Sequence, residues 1–329
     1  LLTALRACGD VICERWSSFR YDDFSTWPAI SCYPAATVCW FSAVVDSNCD
    51  DDELKLRAAK AISECGLLAW QQGDHKRAME LEEKALAIRL ASLGESHPDV
   101  ATAYSHIGVA AHAAGDHKRA KELYEKALAI RLTSLGENHP DLAVSFSNVG
   151  AAAHAAGDYK RAMELYEKAL AIRIASLGEN HSSVATTYNK LGVAAYAAGD
   201  YKCAVECYEK ALPIRVASLG ENHADVATAY SNIAVAARAA GDHKRAMELH
   251  EKALAIRIAS LGENNLDVAT TYNNMGNAVY DAGDHKRAME LYEKALAIRL
   301  ASLGENHPDV AATYNNMGRA AYADGDHKR

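Results

Sequence analysis

The sequence predicts an all-α protein built from 42-residue repeats, each of which forms two helices. The dipeptide Gly-Asp recurs every 42 residues without slippage, at Gly73, Gly115, Gly157, Gly199, Gly241, Gly283 and Gly325. Half of the residues are apolar, and Phe, Pro and Trp are few, which favours closely packed helices. Apolar residues between the Gly-Asp dipeptides recur at spacings of three and four, as on a buried helix face. A period of this length indicates stacked repeats rather than separate domains.

The first half of each repeat predicts a helix with one buried face. In the repeat that starts at Ala101, this face is formed by Tyr104, Ile107, Gly108 and Ala111. The second half predicts another helix, whose equivalent face is formed by Ala120, Leu123, Tyr124, Ala127 and Leu128. Because one helical hairpin cannot bury both faces, its stability must come from stacking against neighbouring repeats.

Short turns are expected to separate the helices. Gly115 can adopt the left-handed conformation that ends a helix, and Asp116 can accept a hydrogen bond from the free N–H groups of the next helix. Gly136 is predicted to end the second helix. His139-Pro140-Asp141 then starts the next repeat, because proline is tolerated in the first turn of a helix.

The order of these residues resembles the tetratricopeptide repeat, in which an aromatic residue, Leu-Gly, a small or aromatic residue, Ala and a second aromatic follow one another. Here the pattern reads Tyr104, Ile107-Gly108, Ala111, Ala120 and Tyr124. The resemblance implies a right-handed superhelix, an α-solenoid. Eight residues beyond the usual 34 lengthen the second helix. This longer form, with the linker LGENHPDVA, is similar to the repeats of the kinesin light chain family.

The resemblance covers residues 55–329, which we interpret as about 6.5 repeats, the first degenerate and the last truncated. The chain breaks off at HKR, three residues into a second helix, so we expect it to be a fragment. Residues 1–54 form a non-repeat segment without the heptads that a kinesin light chain uses to bind its heavy chain. Two interpretations stay open: the heptads lie upstream of Leu1 and kinesin heavy chain is a partner, or this segment is disordered.

The first helices of a stacked array should line its concave side. With Ala101 as position 1, positions 2, 5, 6, 9 and 12 should face a groove. Position 12 carries an aromatic or cationic side chain in every repeat: Trp70, His112, His154, Tyr196, Arg238, Tyr280 and Tyr322. This column is the leading candidate for a binding site.

Positions 5, 6 and 9 supply further groove candidates. Position 6 includes His106, Asn148, Lys190, Asn232, Asn274 and Asn316. Position 5 includes Asn189, Asn273 and Asn315 and the serines Ser63, Ser105, Ser147 and Ser231, while position 9 includes Arg319. Asparagine offers both a donor and an acceptor, so these side chains could pair with the backbone of an extended peptide.

The charge of these positions predicts the partner. Lys60, Lys190, Arg238 and Arg319 outnumber Glu64, so the groove should be neutral to positive although the chain carries a net charge of −8. An acidic peptide with an aromatic or aliphatic anchor would fit it, and such a ligand resembles the acidic, aromatic-containing cargo motifs of kinesin light chains. The alternative interpretation is that these residues are simply solvated or pack against neighbours.

Several other classes of function are disfavoured. The acidic balance and the absence of a Lys/Arg-rich run argue against nucleic-acid binding. The most apolar segment, residues 29–45, is short and interrupted by Pro34, so no membrane partner is expected. No motif indicates a cofactor, a metal site or an enzyme. Cys203 and Cys207 lie one turn apart, but sequence drift is favoured over a redox or metal pair.

The sequence therefore predicts a protein-binding scaffold that resembles the cargo-binding part of a kinesin light chain. The alternative is the sensor or oligomerisation arm of a larger signalling ATPase or protease, since similar arrays occur beside unrelated domains. An array that nearly avoids cysteine favours a cytoplasmic location. Pro213 inside a second helix predicts a local bend.

Overall fold

The computed structural model describes residues 52–136 and 139–325, and these form thirteen α-helices and no strand. In chain order they are α1 (Asp52–Gln71), α2 (His75–Leu93), α3 (Pro98–Ala113), α4 (His117–Ser134), α5 (Pro140–Ala155), α6 (Tyr159–Leu177), α7 (Ser182–Ala197), α8 (Tyr201–Leu219), α9 (Ala224–Ala239), α10 (His243–Leu261), α11 (Leu266–Asp281), α12 (His285–Leu303) and α13 (Pro308–Ala323). The predicted all-α class is confirmed.

The chain divides into two compact units, Leu1–Gly157 and Asp158–Arg329. In the first unit, α1 packs on α2 and α3 on α4, and α2 and α4 each also pack on the helix that follows. In the second unit, α7 packs on α8, α9 on α10 and α11 on α12, and α6, α8, α10 and α12 each pack on the next first helix. Consecutive helix pairs therefore stack as a tetratricopeptide-type solenoid within each unit.

The predicted hairpin turn is confirmed. Gly115 has φ +84°, a left-handed conformation that glycine adopts without strain. The Asp116 carboxylate accepts a hydrogen bond from the Arg119 backbone N–H at 3.1 Å and caps α4. The same aspartate cap precedes every second helix of the described residues.

The start of the first helices contains a cap that the sequence did not indicate. His97 Nδ1 accepts a hydrogen bond from the Asp99 backbone N–H at 3.1 Å, so the imidazole ring serves as the helix cap. His139, His181, His223 and His307 do the same, and Asn265 takes this role before α11. Pro140 occupies the first turn of α5, as predicted.

Helix α4 differs from the other second helices in its C-terminal cap, and helix α8 contains a proline. Helix α4 ends at Ser134 with Leu135 as its C-cap, whereas in α2, α6, α8, α10 and α12 the glycine equivalent to Gly136 is itself the cap. Helix α8 continues through Pro213 to Leu219. Proline therefore does not end this helix, and the local bend stays a prediction.

A close contact between a glycine and a tyrosine ring joins the two helices in three of the described hairpins. A Cβ atom added to Gly108 would lie 2.6 Å from Cε1 of Tyr124, and Gly192 faces Tyr208 in the same way. The added Cβ of Gly276 would lie 2.5 Å from Cε1 of Tyr292. The small residue in the first helix thus gives the ring of the second helix its space. By contrast, nothing lies within 4 Å of Gly318 in α13.

The predicted non-repeat segment, residues 1–54, lies almost wholly outside the described residues. The terminal HKR lies outside them entirely. Helix α1 begins at Asp52 and is the first helix of the degenerate repeat. Its buried residues include Ile62, Cys65, Gly66 and Ala69. At the other end, the face of α13 that carries Tyr314 and Gly318 is exposed.

Candidate protein-interaction surface

Four of the position-12 side chains, at the end of their first helices, contact the first residue of the next helix. In the first unit, the ring centroids of His112 and His117 lie 4.8 Å apart, and those of Trp70 and His75 lie 6.5 Å apart. In the second unit, Tyr196 lies 5.3 Å from Tyr201 and Tyr280 lies 5.0 Å from His285. One side of each ring is therefore occupied by an aromatic neighbour.

These rings are neither fully buried nor freely solvated. His112, His154, Tyr196, Arg238 and Tyr280 are half-buried, Trp70 is exposed and Tyr322 is 74% exposed. Burial, followed by the neighbouring His117, lowers the pKa of His112. Trp70, His112, Tyr196 and Tyr280 thus each pack on one aromatic neighbour and leave part of their surface accessible.

Three first helices of the second unit bring a cationic and aromatic cluster together. The Arg319 guanidinium of α13 lies 4.8 Å from the centroid of the Tyr280 ring of α11. Arg238 of α9 donates to the carboxylate of Asp281 at 2.6 Å. These residues carry two positive charges, on Arg238 and Arg319, and one negative charge, on Asp281. We call these four residues the arginine–tyrosine cluster.

The asparagines pair with one another between adjacent repeats. Asn232 Nδ2 donates to Asn189 Oδ1 at 3.2 Å, and Asn316 Nδ2 donates to Asn273 Oδ1 at 3.0 Å. Each amide has further donor and acceptor capacity that these bonds do not use. The asparagines are therefore oriented by each other. Asn148, Asn274 and Asn316 are half-buried, and Asn315 is exposed.

Lys190 is less accessible than its charge suggests. Its side chain is half-buried on α7. Burial, followed by the nearby Arg173, lowers the pKa of its ammonium group.

In the first unit, His106 is held by a buried carboxylate. His106 Nδ1 lies 3.0 Å from Glu82 Oε1, and Ser63 Oγ donates to Glu82 Oε2 at 3.0 Å. Arg89 donates to Ser63 Oγ at 2.9 Å and lies 3.9 Å from Glu82. The Glu82 side chain is buried while the His106 side chain is about half exposed. The second helix therefore fixes the orientation of a histidine on the first-helix face of the next repeat.

The serines of position 5 do not line a groove. Ser63, Ser105, Ser147 and Ser231 are all buried. Ser105 accepts a hydrogen bond from the buried Arg131 at 3.1 Å, which shows why this position faces the second helix. That part of the groove prediction was wrong, because these hydroxyls lie inside the protein: Ser63 and Ser105 accept from arginines, and Ser147 and Ser231 are buried without a hydrogen-bond partner among the described residues.

A row of buried arginines was missed by the sequence reasoning. Arg131 donates to Ser145 at 2.7 Å, Arg257 to Thr271 at 2.6 Å and Arg299 to Thr313 at 2.7 Å. Burial lowers the pKa of the Arg131 and Arg257 guanidinium groups. The signal was present in the sequence, since in these repeats the arginine is followed fourteen residues later by Ser or Thr.

The comparison with protein families decides the assignment. A tetratricopeptide repeat model matches overlapping windows over residues 57–133, 99–175, 141–215, 183–259, 225–301 and 267–329. The chain belongs to the tetratricopeptide repeat family. No curated protein sequence matches the chain.

Solved tetratricopeptide repeat structures are similar to it, and they include kinesin light chain-like proteins. A Podosopora anserina protein with nearly identical TPR-like repeats, classed as a candidate kinesin light chain, has 26% identity and a TM-score of 0.58 over 63% of this chain and 98% of that chain. BtubC (BKLC) from P. vanneervenii has 28% identity and a TM-score of 0.57 over 73% of this chain and 94% of that chain.

A more distant neighbour shows the fold alone. The STAND protein PH0952 from Pyrococcus horikoshii, a signal transduction ATPase with a tetratricopeptide repeat sensor, has 15% identity and a TM-score of 0.65. The similarity covers 92% of this chain but only 43% of that chain.

The described residues contain neither a cluster of metal ligands nor a helix that could cross a membrane. Over residues 52–136 and 139–325 of this tetratricopeptide repeat protein, no group of three or more His, Cys, Asp and Glu side chains could hold a metal ion. No helix in the same ranges has the length and apolar character that a membrane span requires. The three cysteines in these ranges, Cys65, Cys203 and Cys207, are free thiols.

Proposed function

We propose that this tetratricopeptide repeat scaffold binds an extended acidic protein segment on the first-helix face of its second unit. The arginine–tyrosine cluster carries this proposal. It places the Arg319 guanidinium over the half-buried Tyr280 ring and holds Arg238 on the neighbouring Asp281. Tyr, Trp and Arg are the residues that contribute most often to protein-binding energy. Carboxylates on the partner would meet Arg238 and Arg319, and an apolar or aromatic side chain would meet Tyr280.

The oriented asparagines extend the proposed surface away from this cluster. The pairs Asn189–Asn232 and Asn273–Asn316 span neighbouring repeats, so they form a track that crosses the helices. Side-chain amides can bond to a peptide backbone whatever its sequence. Recognition would then combine backbone contacts along the track with charge selection at Lys190, Arg238 and Arg319.

Two finer assignments are part of this proposal. The likeness to kinesin light chain-like structures supports a role in cargo binding, with kinesin heavy chain as a further partner. The free thiols of the repeats fit a reducing, cytoplasmic location. Neither nucleic acid nor a membrane is a partner in this proposal.

A peptide titration tests the proposed surface. The probe is a fluorescent peptide with a central Trp flanked by Asp and Glu, and the control peptide replaces the acidic residues by Lys. We expect Tyr280→Ala and Arg319→Glu each to weaken binding of the acidic peptide roughly tenfold or more, since a hot-spot residue contributes at least about 1–2 kcal/mol. Arg238→Glu should act in the same direction.

The matched control is Arg287→Glu, which makes the same charge change on an exposed residue of the second helix α12. It should bind like the parent chain. Equal weakening in Arg287→Glu and Arg319→Glu would show that only net charge matters. Unchanged affinity in all three groove variants would remove the proposed surface.

The second candidate function is a sensor or oligomerisation arm of a signalling ATPase. Its support is the fold shared with the repeat sensor of PH0952. The full-length reading frame separates the two candidates, because a nucleotide-binding domain in the same protein favours the sensor and heptad repeats favour the motor complex.

A further inference from the structure

Cys203 and Cys207 form a pair of thiols on helix α8. Their Sγ atoms lie 4.0 Å apart, one helical turn from each other. In the other repeats the equivalent residues are Arg and Leu, as at Arg245 and Leu249. Two substitutions in one repeat have thus placed two soft metal ligands side by side.

The replaced arginine belongs to a ladder of ion pairs between repeats. Arg119 pairs with Glu83, Arg245 with Glu209, and Arg287 with Glu251 at 4.0 Å. Each arginine meets the glutamate 36 residues earlier, and the residue 36 before Cys203 is Glu167. The negative charge of Glu167 therefore acts on Cys203, together with Asp200 and Glu206. This concentration of negative charge would attract a cation.

The two thiols differ in burial, so a metal ion could reach the pair from the side of Cys203. Cys207 is buried, whereas Cys203 is half-buried and packs against the hydrophobic cluster that contains Tyr208 and Ile233. Burial raises the pKa of the Cys203 thiol and raises that of Cys207 to about 12. Both groups are therefore thiols at neutral pH, which makes them slow nucleophiles. An ion that binds here must release their protons.

The number of donors narrows the class of ion. Zinc sites in proteins have three or four protein ligands, and within the described ranges no three such side chains converge. Soft thiolates also select monovalent copper, which accepts two donors. A metal–sulfur distance of roughly 2.3 Å joins two sulfurs 4.0 Å apart at an angle of about 120°. Rotation of the half-buried Cys203 would open this angle towards linear.

We propose that Cys203 and Cys207 form a two-thiolate binding site for a monovalent soft metal ion of the copper(I) type. On binding, both S–H bonds break, two protons leave for solvent and two sulfur–metal bonds form, with no change in oxidation state. The complex carries one negative charge, and Lys210, whose charge acts on Cys207, would offset it. This site is independent of the proposed peptide surface.

Anaerobic titration with copper(I), buffered by a chromogenic chelator, tests the site. The parent chain should retain one copper(I) ion more than the variant Cys203→Arg plus Cys207→Leu, which restores the residues of the other repeats and should fold. Cys65→Ser should match the parent, since Cys65 is buried alone. Because two protons are released, apparent affinity should rise up to about 100-fold per pH unit.

Alkylation and competition experiments locate the ion and identify its class. Trypsin cleaves after Lys202 and Lys210, so both cysteines leave in one peptide, residues 203–210. Copper(I) should protect this peptide from iodoacetamide, while excess zinc(II) should not. Equal copper(I) retention by the parent and the restored variant, or unprotected alkylation of the peptide at saturation, would overturn the proposal. Equal protection by zinc(II) would contradict the monovalent class.

Discussion

Two neighbouring repeats of the second unit use different pairs of residues where their first and second helices pack together. In one, Tyr292 of α12 lies against Gly276 of α11, and its hydroxyl donates to Asn277 Oδ1 at 2.8 Å. In the other, His250 of α10 occupies the equivalent place, and the residue sixteen positions earlier is Ala234 instead of glycine. A smaller ring thus accompanies a larger residue opposite it. In this pair of repeats the two changes offset each other in volume.

A histidine in place of the tyrosine puts a basic group inside the protein. His250 is fully buried, and neither ring nitrogen has a hydrogen-bond partner within the protein. Burial, followed by the charges of Arg257 and Arg238, lowers the pKa of its imidazole to about 4. Burial of Tyr292 raises the pKa of its phenol to about 12. Both rings are therefore neutral at pH 7, but only the histidine can become charged in mild acid.

The largest expected effect is a loss of stability in acid through His250. Below about pH 6.5 an unfolded chain binds a proton at this residue, whereas the folded chain does so only near pH 4. The free energy of unfolding should therefore fall as the pH drops from 6.5 to 4. Each unit of pKa difference corresponds to about 1.4 kcal/mol, so the complete loss is on the order of 3 kcal/mol.

Denaturant unfolding of the parent at several pH values measures this loss. The control is His250→Tyr plus Ala234→Gly, which restores the pair of the neighbouring repeats and removes the titrating ring. The difference in stability between the two proteins should change with pH over this window. Parallel curves, or NMR titration of His250 near its ordinary pKa, would contradict the prediction.

The second expected effect concerns the close contact itself. Gly276→Ala places a Cβ atom 2.5 Å from the Tyr292 ring. Overpacking of this kind costs about 1–3 kcal/mol. Gly318→Ala is the matched control, because Gly318 occupies the same position in α13 with no atom within 4 Å. There the substitution should stabilise the helix by roughly 0.5–1 kcal/mol.

Thermal unfolding followed by circular dichroism distinguishes the two glycines. The melting temperature should fall for Gly276→Ala and stay level or rise for Gly318→Ala. A fall of similar size in both variants would mean that the glycine serves the backbone of the helix and not the ring beside it.

These contrasts also show what the sequence could predict. The helix pairs and turns followed from local residues, because Gly115 and Asp116 act within one chain segment. The candidate surface depended on neighbours in the next repeat. Periodicity places Tyr280 and Arg319 on first helices, but it does not give their 4.8 Å contact. The buried Arg131 was missed because hydrophobic patterning assigns a charged residue to the surface, although hydroxyl groups can satisfy it inside.

The smallest expected effect tests whether ring and opposing residue act as a pair. His250→Tyr alone should destabilise the protein by about 1 kcal/mol or more, because the larger ring meets the Ala234 side chain. Adding Ala234→Gly should recover most of that loss, although the same glycine substitution alone costs roughly 0.5–1 kcal/mol. The double-mutant cycle should therefore give a coupling energy of about 1 kcal/mol. Additive effects would show that the volumes at positions 234 and 250 vary independently, and the histidine would then be an isolated substitution in the repeat.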